Sequence, residues 1–249
     1  MLPAIWQTKQ QILAHMHKKE IRYCSSKGLP ELLEALNASF VLTTYQAGLA
    51  LAIGYDNGDL VIGSTEFQQP MGICRTKEGL ALATRNKIWR MPGLRNSLET
   101  KVDSEGQDIR FIARMCHVIG ETMAHEIAED SEGKIWFVNT LFNCIATVEG
   151  NWNFVPQWKP EFIDRLIPED RCHLNGMSLS EKGDKPKYVT MLGTTNKSGE
   201  WRLHKNNGGC LMDVDTGMAV ASNLCMPHSP RLKDGLIYFL NSGKGEILC

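Results

Sequence analysis

The stretch MPHSPRLKDGLIYFLNSG, Met226 to Gly243, repeats the plan of AHEIAEDSEGKIWFVNT, Ala124 to Thr140. Each opens on a histidine behind a small or rigid residue and crosses a charged turn that holds a glycine. Each then enters an aromatic-rich apolar run and ends at Asn followed by Ser or Thr. His125 and His228 are about a hundred residues apart, so a repeat of half that length predicts a copy between them. CHLNGMSLSEKGDKPKYVTMLG, from Cys172, is that copy, with His173 at its head. Upstream, QPMGICRTKEGLALAT, from Gln69, shares the turn, the glycine and the strand, with Pro70 in the histidine's place. Four copies at a spacing of about fifty residues make a repeat.

A β-rich repeat of this length, with a DG or EG hairpin in each unit, predicts an all-β fold, a β-propeller of four-stranded blades. An all-β sandwich would have to produce four aligned units by coincidence. The runs SFVLTTY, LALAIGY and DLVIGS, with DNGD as the turn between the last two, supply a first, partial blade. GGCLMDVDTGMAVAS supplies outer strands around a DTG hairpin. About five blades are then visible, the last incomplete, because the chain stops at GEILC. A fragment of a longer propeller is the expectation, and the open blade edge is a candidate surface for self-association.

The organisation is a helical N-terminal segment over residues 1–38 and a propeller over residues 39–249. Ile5, Ile12, Leu13 and Met16 recur near helical spacing, and LPELLEALN adds a short helix with Pro30 in its first turn. Hydrophobic content of 43% and charged content of 22% are those of an ordinary globular chain, and a net charge of −1 lacks the basic footprint of nucleic-acid binding. No apolar run is long enough to span a bilayer. Eight cysteines without a C-x-x-C pair suit reduced thiols and point to the cytoplasm.

The innermost strand of each blade runs along a propeller's central channel, so equivalent residues ring its axis. His125, His173 and His228 are therefore expected at one such position, converging as metal ligation requires. Neutral imidazoles suit a divalent transition metal (Zn, Fe, Cu or Mn) better than Ca or Mg. Pro70 would leave one side open, as a catalytic metal needs. Asn175, two residues after His173, could share its face; Asp170 could act as a base or orient a histidine; Arg231 could bind a substrate carboxylate. Trp136, Trp152, Trp158 and Trp201 read as packing between blades. The expected function is metal-dependent lyase or hydrolase chemistry on a small molecule or peptide in the channel. The alternative is a non-catalytic platform that binds a protein or ligand.

TTYQAG (Thr43 to Gly48), EDRCHLNGM (Glu169 to Met177), WR (Trp201-Arg202), MPHSPR (Met226 to Arg231) and LNSGKGE (Leu240 to Glu246) resemble the motifs of a bacterial family of conserved hypothetical proteins of unknown function. Its members are typically longer, which implies further blades. HEIAEDSEGKIWFVNT is similar to the repeat of streptogramin lyase. The axial histidines are similar to those of the metal-binding propeller of peptidyl-hydroxyglycine amidating lyase, a parallel that implies His125, His173 and His228 as ligands.

Overall fold

In a computed structural model, which describes residues 23–94 and 109–249, alternating apolar strands pack into five antiparallel sheets in chain order. Leu29–Leu36 forms helix α1, with Pro30 in its first turn and Asn37 closing it in the left-handed conformation. The helical pattern read over Ile5 to Met16 lies outside the described residues. The first sheet joins β1 (Phe40–Thr44), β2 (Leu49–Asp56) and β3 (Asp59–Glu66). Asn57 and Gly58 turn its second hairpin with φ of 49° and 86°, the left-handed values that a two-residue hairpin demands.

The second sheet holds β4 (Ile73–Arg75), β5 (Gly79–Ala83), β6 (Lys87–Leu94), β7 (Arg110–Phe111) and β8 (Met115–Val118), with β7 and β8 both paired to β6. The third is β9 (Ala124–Glu129), β10 (Ile135–Asn139), β11 (Cys144–Thr147) and β12 (Val155–Trp158). The fourth is β13 (Leu174–Leu179), β14 (Pro186–Met191), β15 (Gly209–Asp213) and β16 (Ala219–Leu224), with the four-residue helix α2 (Trp201–His204) between β14 and β15. The fifth is β17 (Pro227–Lys233), β18 (Leu236–Asn241) and β19 (Glu246–Leu248). Five such blades, short of closed four-stranded sheets at both ends, are the propeller the repeat predicts.

Period-two alternation explains how the blades stack. Successive strand residues face opposite sides of a sheet, and both sides of an inner blade are covered. Phe137 and Ala146 therefore pack toward the second sheet with Ala83, Ile88 and Ile127, while their neighbours Val138 and Ile145 pack toward the fourth with Leu174, Val189 and Met191. Ala50, Leu82 and Met91 fill the space between the first two sheets, and Leu211, Leu224 and Phe239 that between the last two. Trp136 and Trp158 join the packing between the third and fourth blades, whereas Trp152 is exposed.

The first strands of the later blades lie side by side, β4 on β9, β9 on β13 and β13 on β17. Gly176 permits the last of these approaches, since a Cβ there would collide with Thr190 Oγ1 and Pro230 Cδ. No helix among the described residues is long and apolar enough to cross a membrane. All eight cysteines carry free thiols.

Candidate functional site

A left-handed residue stands at the head of each repeat: Met123, His173 and Met226 directly before β9, β13 and β17, and Gln69 four residues before β4, with φ of 51°, 51°, 51° and 50°. The pairing of the next residue agrees, since Ala124, Leu174 and Pro227 face Asn139, Met191 and Asn241, the last residues of the neighbouring strands. One position further in stand Met71, His125, Asn175 and His228. The structure therefore corrects the predicted register. His125 and His228 are equivalent, but His173 sits two residues earlier in its blade, and Met71 rather than Pro70 is the counterpart in the second sheet.

The offset does not separate the rings. His125 and His173 meet edge to face, with centroids 4.9 Å apart and planes at 76°. His173 and His228 lie near enough to depress the protonation of His125, and His173 near enough to depress that of His228. Burial, reinforced by His173 and His228, pushes His125 down to about 4. Burial is also the main cause that lowers His228.

Each ring is anchored through Nδ1. His125 Nδ1 lies 2.8 Å from the Met123 carbonyl and 2.8 Å from Thr140 Oγ1. The Thr140 hydroxyl gives its own proton to the Leu174 carbonyl at 2.5 Å. Both neighbours of Nδ1 can then only accept, so Nδ1 carries the proton. His228 repeats the arrangement with the Met226 carbonyl at 2.8 Å. In the fourth blade a carboxylate takes the carbonyl's place, and His173 Nδ1 donates to both oxygens of Asp170 at 3.0 Å. Nε2 of all three rings has no hydrogen-bond partner among the described residues.

Asp170 is the hub of the fourth blade's side of the site. It is buried, held at φ 45°, and its Oδ2 accepts Trp201 Nε1–H at 3.1 Å. The indole packs on the His173 ring at 4.2 Å, so Trp201 belongs to the site and not to blade packing. The loop bearing α2 is tied down around it: Gly199 N–H donates to the Asp170 carbonyl, and the Thr195 hydroxyl donates to the Arg171 carbonyl. Arg171 is buried and donates to Glu169 at 2.9 Å and Asp164 at 2.5 Å.

Two other predicted site residues have protein partners. Asn175 is buried, accepts from Thr190 Oγ1 at 2.7 Å and donates to the Pro227 carbonyl at 3.1 Å, stitching β13 to β14 and β17. Arg231 pairs with Glu126 at 3.2 Å, from the fifth blade to the third. Glu126, beside His125, is the residue that sequence reasoning missed. Burial raises its carboxyl while Arg231 opposes the rise. Among the described residues no group of three or more His, Cys, Asp or Glu side chains is arranged to hold a metal ion.

The chain is similar in fold to virginiamycin B lyase from Staphylococcus aureus, at 14% identity and a TM-score of 0.46, over 85% of this chain and 62% of that one. A streptogramin B lyase structure aligns at 12% identity and a TM-score of 0.43, over 85% of this chain and 78% of that one. A structural-genomics protein of unknown function from Bacteroides thetaiotaomicron aligns at 10% identity and a TM-score of 0.40, over 83% and 57%. The chain thus spans less than two thirds of the length of the virginiamycin B lyase it matches. No curated protein matches it in sequence. Residues 27–249 match one family model, and the chain belongs to that family, the domain of unknown function DUF4915.

Proposed function

We propose that the histidine pocket is a proton-transfer site acting on a small molecule or peptide bound in the channel, in lyase or hydrolase chemistry. The observation that carries the reading is the shared anchoring of His125, His173 and His228 through Nδ1, with no partner for any Nε2 among the described residues. His173 is the base. Its Nε2 takes a proton from the ligand or from water, while Nδ1–H stays on Asp170, which fixes the tautomer and steadies the imidazolium that forms. His125 remains neutral at pH 7 and presents a second acceptor at the edge of the His173 ring.

The same three nitrogens favour a second reading, a bound Zn, Fe, Cu or Mn ion. Their donor chemistry fits such an ion and an Nδ1 anchor is what metal-bound histidines usually have, although the described residues do not close around one as they stand. A bound ion would supply Lewis acidity.

The test is turnover of chromogenic esters, lactones and β-substituted carbonyl compounds by protein purified without a histidine tag, before and after chelation. Proton transfer predicts chelator-resistant turnover that falls by about a hundredfold or more in His173→Gln. An equal rate in His173→Gln would sink it. Near-stoichiometric metal by plasma mass spectrometry, lost together with turnover in His173→Gln, would replace it with the metal reading.

A further inference from the structure

Three arginines lie on the segments that carry the histidine cluster, and two already donate to protein acceptors. Arg171 is buried and donates to Asp164, Glu169 and Asn196. Arg231 spans to Glu126 and also donates to the Pro230 carbonyl at 2.8 Å. Arg202 differs. Its guanidinium comes no nearer than 3.7 Å to the Asp170 carboxylate, outside hydrogen-bond range, and no other acceptor among the described residues meets it. Its side chain keeps 60% of its surface exposed.

The group is nevertheless held in place. The guanidinium lies 4.3 Å from the centre of the Trp201 ring, and that indole is fixed by its hydrogen bond to Asp170 and by contact with His173. Stacking on an indole pre-orients the planar fork. Gly199, at φ 64°, lies against the end of the same side chain: a Cβ there would stand 2.8 Å from Arg202 Nη1. The result is an oriented cation with unfilled donors, one indole away from the ring assigned as the base.

We infer that Arg202 is a specificity residue that anchors an anionic group of the ligand, a carboxylate or a phosphoryl group, beside His173. The assignment rests on the proton-transfer reading only in making that ligand a substrate; anion binding itself needs only Arg202 and Trp201. A planar carboxylate would accept two parallel N–H bonds from the fork, a geometry a lysine cannot reproduce. The substrate is then a small molecule or peptide with a negative charge near its reacting atoms.

The experiment titrates benzoate, phenyl phosphate and the neutral benzamide into the whole protein and follows the Trp201 Nε1–H resonance. Both anions should shift it saturably and benzamide should not; the tighter of the two distinguishes a carboxylate from a phosphoryl preference. Arg202→Gln should weaken binding about tenfold, with Arg202→Lys in between and Arg231→Gln close to wild type. Benzamide matching benzoate, no saturable shift at all, or unchanged affinity in folded Arg202→Gln would each overturn the inference. In His173→Gln the anion should still bind. Failure of the proton-transfer reading therefore leaves this result standing, and failure here leaves that reading intact.

Discussion

Asp170→Ala is expected to destabilise the protein by about 3–5 kcal/mol in chemical denaturation, the cost of removing one member of a buried, hydrogen-bonded charged network. The carboxylate accepts from His173 Nδ1 and Trp201 Nε1, both inside the fourth blade's packing, and neither donor has another acceptor among the described residues. Backbone strain adds to the loss, since Asp170 sits at φ 45°, where aspartate is tolerated better than alanine. Asp170→Asn keeps one acceptor and the tolerance, so about 1–2 kcal/mol is expected. In a chain of this size Asp170→Ala should lower Tm by on the order of 10 °C. A loss under about 1 kcal/mol would mean that the two donors find water instead, and that Asp170 does not organise the site.

The second large effect is on acid stability. His125 is pushed from its ordinary value of 6.5 to about 4 in the folded protein, first by burial and then by His173 and His228. A histidine lowered on folding takes up its proton more readily in the unfolded chain. Its contribution is therefore full above the unfolded value and is lost as pH falls from 6.5 toward about 4. The loss across that window amounts to about 3 kcal/mol, and His228, lowered by the same main cause, adds in the same direction. His125→Asn places in the third blade the residue that the fourth already carries at this position, Asn175. Denaturation midpoints measured at pH 7 and pH 4 should therefore lie closer together in His125→Asn than in wild type. An unchanged difference would show that His125 takes up its proton as readily in the folded protein as in the unfolded chain.

The propeller was legible because its signals are local. The hairpin glycines, the NG turn at Asn57-Gly58 and the alternating apolar runs each specify a strand or a turn without help from distant residues. The register of the histidines is hidden in the sequence, because the left-handed residue at the head of each repeat is Gln, Met, His or Met and carries no compositional mark. A signal did exist. Met71, His125 and Asn175 each stand eight residues before a hairpin glycine, Gly79, Gly133 and Gly183, and His228 stands seven before Gly235, whereas His173 stands ten before Gly183. Two features had no sequence signal at all. Glu126 and Arg231 meet only because β9 and β17 both run near the axis, and Trp201 reaches His173 from an inserted loop outside the repeat. Asp170, by contrast, was within reach of sequence reasoning, since it lies three residues before the histidine it orients.

The tautomers of the three imidazoles can be read directly by long-range proton–nitrogen NMR on the nitrogen-15-labelled protein at neutral pH. The anchoring carbonyls of Met123 and Met226 and the Asp170 carboxylate predict one pattern for His125, His173 and His228: Nδ1 protonated and Nε2 bare. That pattern would put three unengaged acceptors in the pocket and support proton transfer there. A proton on Nε2 of His173, with Nδ1 bare, would contradict it, because the ring would then face the ligand with a donor and Asp170 would no longer hold it as a base.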